Sequence, residues 1–177
     1  MVPPGSSPPA SAPPPAEASL RLIRLRLTGF RSYATLSWEP RARIAAIAGP
    51  NGSGKTNLLE AISLLVPGRG LRGARAADWP RRMAPDAPPE AWAVAGRFAT
   101  PAGMLEVGTG RPPGSSPGSS PGSSPGGPFD RRAFRLDGAA PRAASEIAAR
   151  IAATWLSPQM DRLFQEGASG RRRFLDR

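Results

Sequence analysis

Eight consecutive residues, Gly49-Pro50-Asn51-Gly52-Ser53-Gly54-Lys55-Thr56, constrain this chain more than any other part of it. They satisfy G-x-x-x-x-G-K-[ST], the spacing of a phosphate-binding loop, which functions between a strand and the helix that follows it. Both flanks are legible. Arg43-Ile-Ala-Ala-Ile-Ala48 is an apolar run ending in glycine and predicts a buried strand. Leu58, Leu59, Ile62 and Leu65 fall at helical spacing, and Pro67-Gly68 stops the helix. Glycines let backbone N–H groups turn inward around phosphate oxygens, and the helix N-terminus adds its partial positive charge. Lys55 would reach the outer phosphates, and the Thr56 hydroxyl would take one Mg²⁺ coordination position. Among the 24 basic residues Lys55 is the only lysine, and it stands where the loop calls for one. A strand-loop-helix crossing of this kind implies an α/β fold.

The remaining periodicities surround that crossing with strands. Leu20, Leu22, Leu25 and Leu27, with Arg24 and Arg26 between, predict a strand with one wet, basic face, and Thr35 to Trp38 alternates again. Trp92 to Phe98, Met104 to Val107 and Ala133 to Leu136 read as three short strands joined as a meander. Two helices follow: Ser145 caps one carrying Ile147, Ile151 and Trp155, and Ser157-Pro158 opens another carrying Met160, Leu163 and Phe164, closed by Gly167. These apolar and aromatic residues read as core in preference to a base-stacking platform.

Composition removes whole classes of chemistry. Cysteine and histidine are both absent from the 177 residues, so no disulfide, no thiolate or imidazole metal site and no Cys or Ser-His-Asp nucleophile can be built. A cytoplasmic setting is the expectation, since neither a signal peptide nor an apolar run long enough for a membrane span is present. The formal charge of +11 favours an anionic partner, although 23 arginines to one lysine also looks like coding bias. Residues 1–19 and the GSSP-repeat stretch 111–128 concentrate Pro, Gly and Ser and predict a disordered tail and a flexible loop. No apolar strand ends in Asp-Glu, the element that completes a Mg²⁺ shell and orients water; Ala133 to Asp137 is nearest, and Arg135 interrupts it. Arg171, Arg172 and Arg173 stack three positive charges in the opening turn of a helix, against its dipole. Either DNA phosphate or an internal partner among Asp161, Glu166 and Asp176 offsets them.

Four segments together resemble the RecF family of SMC-like ABC ATPases, in its alphaproteobacterial branch: LRLIRLRLTGFRSY at 20–33, GPNGSGKTNLLEAI at 49–62, PGRGLR at 67–72 and WLSPQMDRLFQEGASGRRRFLDR at 155–177. The resemblance implies a P-loop NTPase head of ABC/SMC type, its N-terminal half comprising an antiparallel β meander and flanking helices. It implies ATP and Mg²⁺ as ligands and an ATP-dependent homodimer on single-stranded or gapped DNA. It also implies recombination-mediator proteins as partners and support for recombinase loading and the SOS response. By the same resemblance Arg31 is a candidate nucleotide contact and Gln159 a candidate Q-loop glutamine. Residues 20–177 then form a partial head, an N-terminal fragment without the helical arm, signature motif and Walker B, so that ATP is bound and not hydrolysed. Two other readings compete: a basic DNA- or partner-binding module with a relic P-loop, and another SMC-like ATPase.

Overall fold

The computed structural model describes residues 20–83, 91–111 and 132–157; Gln159, Arg171, Arg172, Arg173 and the helix expected from Pro158 lie outside them, as do 1–19 and 112–128. Five strands, β1 (Arg21–Phe30), β2 (Tyr33–Trp38), β3 (Trp92–Thr100), β4 (Gly103–Arg111) and β5 (Ala133–Leu136), form one antiparallel sheet in the order β2-β1-β3-β4-β5. The helices α1 (Lys55–Ser63) and α2 (Ala144–Ala148) accompany it. No helix among the described residues is long and apolar enough to cross a membrane.

Alternation sets which face is buried. Leu25 and Leu27 of β1, Trp92, Val94 and Phe98 of β3, and Leu105 and Val107 of β4 all point one way, into a core completed by Leu58, Ala61, Leu64 and Leu65 from α1 and its C-terminal end, and by Ile147 and Ile151. The leucines of β1 keep to one face despite their uneven spacing because the pairing with β3 slips between Leu22 and Arg24. A bulge at that point inserts one residue and restores the phase.

The structure departs from the sequence reading in two elements. Residues 43–48 form no strand, and Ile44 is 89% exposed; only Ile47 packs partly against the core. An apolar run becomes a strand only where another strand accepts its ladder, and none of the described strands pairs with 43–48. Second, the helix expected to carry Ile147, Ile151 and Trp155 is only five residues long, and Ser145 lies inside it, behind an N-cap at Ala143 that has no side-chain hydrogen bond. Glu146 reaches back beyond the N-cap, its carboxylate accepting from the Arg142 N–H at 3.2 Å. Ile147 and Ile151 are buried all the same, and Trp155 packs partly against the core.

Candidate nucleotide site

Three glycines shape the loop. Gly52 and Gly54 have φ of 83° and 93°, and Gly49 has φ of 153°; all three lie in the region that side-chain-bearing residues rarely adopt. Gly54 is the N-cap of α1, with no side-chain cap and no acidic residue in the first turn. The first amides of a helix have no intrahelical partner, so this end of α1 keeps its positive end of the dipole open to an anion. The Lys55 ammonium lies across the loop, donating to the carbonyls of Gly49 and Pro50, both at 2.7 Å. Thr56, beside it on the first turn, is exposed.

The β1–β2 turn braces the loop from the side. A Cβ on Gly54 would stand 2.8 Å from the Tyr33 hydroxyl and 3.0 Å from Ser32 Oγ, so only glycine admits this approach. The Tyr33 hydroxyl donates to the Gly54 carbonyl at 3.2 Å, and Asn57 Nδ2 donates to Ser32 Oγ at 2.9 Å. Segment 79–81 lies alongside the turn: Arg31 N–H donates to the Trp79 carbonyl and Arg81 N–H to the Gly29 carbonyl.

Arg31 sits at the tip of that turn with φ of 52°. Its guanidinium forks onto Glu60, Nε to Oε2 at 3.0 Å and Nη2 to Oε1 at 2.8 Å. Arg72 joins them, donating to Glu60 Oε2 at 3.3 Å and to Asn57 Oδ1 at 3.1 Å. The structure thus places the first commitment of Arg31 on a buried carboxylate of α1. Arg31, Ser32, Asn57, Arg72 and Arg82 border a cleft of about 460 Å³ there. Sequence reasoning passed over Glu60 and Arg72. Glu60 lies on the side of α1 opposite the Leu58, Leu59, Ile62 and Leu65 set, the side that spacing leaves to solvent; its burial at 1% exposure, with Leu59 47% exposed, had no signal in the sequence.

The C-terminal end of α1 is held by a second residue the sequence did not single out. Arg132, 4% exposed, donates to the carbonyls of Leu64, Val66 and Gly68 at 3.0, 3.2 and 2.7 Å. It also lies over the rings of Trp79 and Phe134, 5.3 and 4.5 Å from their centroids. Burial pushes its guanidinium down to about 10, so it stays protonated at neutral pH. A cation at the carbonyl end of a helix opposes the negative end of its dipole. Asp137, the acid nearest to an apolar strand end, is a turn residue: φ is 50° and its Oδ1 accepts from the Glu106 N–H at 2.8 Å, on the far edge of the sheet.

The family model described as the RecF/RecN/SMC N terminal domain matches residues 21–83, which contain the loop, the braced turn and Glu60. The DNA replication and repair protein RecF of Mesorhizobium japonicum is 42% identical over 160 residues, covering 90% of this chain and 38% of that protein. The RecF protein of Caulobacter vibrioides is 42% identical over 161 residues with the same coverages. Among solved structures, the recombination mediator protein RecF-ATPrS in the RecFOR pathway superposes with a TM-score of 0.69 at 23% identity, over 90% of this chain and 38% of that one. The SMC head domain from Thermotoga maritima does so with a TM-score of 0.56 at 23% identity, over 83% of this chain and 51% of that one. The fold is therefore that of a P-loop head of the RecF and SMC kind, and the chain, which spans about two fifths of the length of the curated relatives it matches, belongs to the RecF family.

Proposed function

We propose that residues 49–56 bind ATP as its Mg²⁺ complex, and that the chain serves as the nucleotide-binding part of a RecF-type DNA replication and repair protein. The observation that carries this reading is the pairing of an uncapped α1 N-terminus with the single lysine of the chain, both on one glycine loop. The residues fit the ligand: the loop amides are donors for phosphate oxygens, a Cβ on Gly52 would meet nothing within 4 Å, and the Thr56 hydroxyl is exposed where a phosphate-bound cation needs an oxygen. Mg²⁺ would supply charge neutralisation of the outer phosphates; Lys55 and the helix dipole orient and hold them.

The relatives' names support the rest of the proposal. Binding of single-stranded or gapped DNA, ATP-dependent pairing with a second copy, cooperation with recombination mediators in recombinase loading, and a part in the SOS response are proposed for the whole protein on that basis. Arg31 and Gln159 as nucleotide contacts, and Arg171 to Arg173 as DNA contacts, remain part of the proposal.

Isothermal calorimetry with ATP and Mg²⁺ tests the central claim. Lys55→Ala deletes a charge-assisted contact of about 1.5–3 kcal/mol, which weakens binding roughly 10- to 150-fold. Lys55→Arg fails similarly, because a planar fork does not fit a loop shaped around a compact ammonium. Equal affinity in wild type and Lys55→Ala would leave the chain as a basic module with a relic loop.

A further inference from the structure

The face of the sheet turned away from the core carries a surface independent of the nucleotide site. Strand register composes it row by row. One row runs Arg26, Ala95, Gly108, Arg135 across β1, β3, β4 and β5, and the next runs Thr28, Ala93, Gly110, Ala133. Strands spaced by about 4.8 Å put Arg26 and Arg135 about 14 Å apart, with only a methyl group and a hydrogen between them. The row on the other side is internally paired, Arg24 with Glu39 at 2.6 Å and Arg97 with Glu106 at 3.5 Å. The Arg26 row contains no carboxylate. The product is a trough of about 610 Å³ with a small, apolar floor, bordered at one end by the paired Arg97 and Glu106, with an exposed arginine on each wall, of which Arg135 also donates to the Gly138 carbonyl at 3.2 Å.

Its two floor glycines have different causes. A Cβ on Gly110 would lie 2.4 Å from the Trp92 carbonyl oxygen, so the fold itself demands glycine there. A Cβ on Gly108 would meet nothing closer than 3.9 Å. Packing therefore leaves Gly108 free to be larger, and its missing side chain keeps the floor open.

We propose that this trough docks an amphipathic α-helix of a protein partner, with small apolar residues along its contact stripe and Asp or Glu on both flanks. A helix about 10–12 Å across fits between walls about 14 Å apart. Acidic residues on its two sides meet Arg26 and Arg135 at once, a charge match that fixes orientation as well as attraction. An extended peptide gains nothing here, because a sheet face offers no unpaired backbone groups. Single-stranded nucleic acid is the poorer fit: stacking needs an aromatic platform, and the rings of Trp92 and Phe98 are buried on the opposite face.

The test is fluorescence anisotropy on the full chain with three labelled probes. One is a synthetic helical peptide of about five turns carrying an Ala/Leu stripe flanked by Glu, the second has Lys in place of Glu, and the third is duplex DNA. The Glu peptide should bind and the Lys peptide should not. Arg26→Glu with Arg135→Glu should weaken the Glu peptide by about tenfold or more, and so should Gly108→Leu, which fills the floor without changing charge. Gly108→Ala should stay within about twofold, and circular dichroism with thermal melting verifies that each variant folds; if Gly108→Leu does not, the charge variant decides. No binding of the Glu peptide, or equal binding of the Glu and Lys peptides, overturns the proposal. So does duplex DNA binding that alone is lost in the Arg26, Arg135 double variant, which would assign the trough to nucleic acid.

Discussion

Two side chains that the motif does not mention anchor α1, Glu60 from within the helix and Arg132 just past its C-terminal end, and each makes a prediction. Glu60 is 1% exposed and serves two arginines. Removing it deletes charge-assisted bonds to Arg31 and Arg72, whose side chains are 20% and 41% exposed and can regain water, and leaves a cavity, so Glu60→Ala should destabilise the fold by about 1–3 kcal/mol in urea titration. Arg24→Ala is the control, since its pair with Glu39 is exposed on both sides and should be worth under about 1 kcal/mol. Arg132 satisfies three carbonyls just past the end of α1 with one planar group. Arg132→Lys keeps the charge but loses the fork and the stacking, leaving at least one buried carbonyl unpaired at a cost of about 1–3 kcal/mol. A denaturation midpoint unchanged by Arg132→Lys would show that charge alone holds the helix end.

At the scale of elements, α1 owes its position to the sheet beneath it. Gly96 in β3 is where the two approach: a Cβ there would stand 2.5 Å from Leu65 Cδ1 and 2.8 Å from the Phe98 ring. Gly96→Val, a substitution that β propensity favours, should therefore cost about 1–3 kcal/mol through overpacking. It should also weaken ATP binding, since the loop moves with the helix; a gain in melting temperature would show that propensity wins over packing. The apolar run 43–48 makes the converse point. Its composition is that of a buried strand, yet without a neighbouring strand it stays outside the sheet and largely exposed.

At the scale of the whole molecule, the described residues hold phosphate-binding groups, and the carboxylates around them are engaged elsewhere: Asp78, which borders the cleft beside the loop, accepts from the Arg75 N–H at 3.2 Å. Asp137 is spent on a turn at the sheet edge, and Glu60 is enclosed by Arg31 and Arg72. These described carboxylates should accordingly support no turnover of bound ATP. Phosphate release should match that of Lys55→Ala, and a rate above that control would reveal a catalytic carboxylate in this chain.

The phosphate loop, the existence of a helix after it and the alternating strands were legible because each is a local pattern: glycines at fixed offsets, apolar residues at a period of 3.6, apolar residues at a period of two; the face that α1 buries was not, since Leu59 of the expected apolar set is 47% exposed and Glu60 is buried. The basic outer face of β1 was legible for the same reason. What tertiary structure decided is long-range. Arg132 finds its carbonyls more than sixty positions away, and Arg31 finds Glu60 across 29, distances along the chain at which charge pattern carries no partner information. Ladder pairing likewise decided that 43–48 is no strand here, and register alone brought Arg26 and Arg135 to face each other across Ala95 and Gly108. Periodicity belongs to the chain, but a hydrogen bond needs both of its ends, and only the fold brings the second one into place.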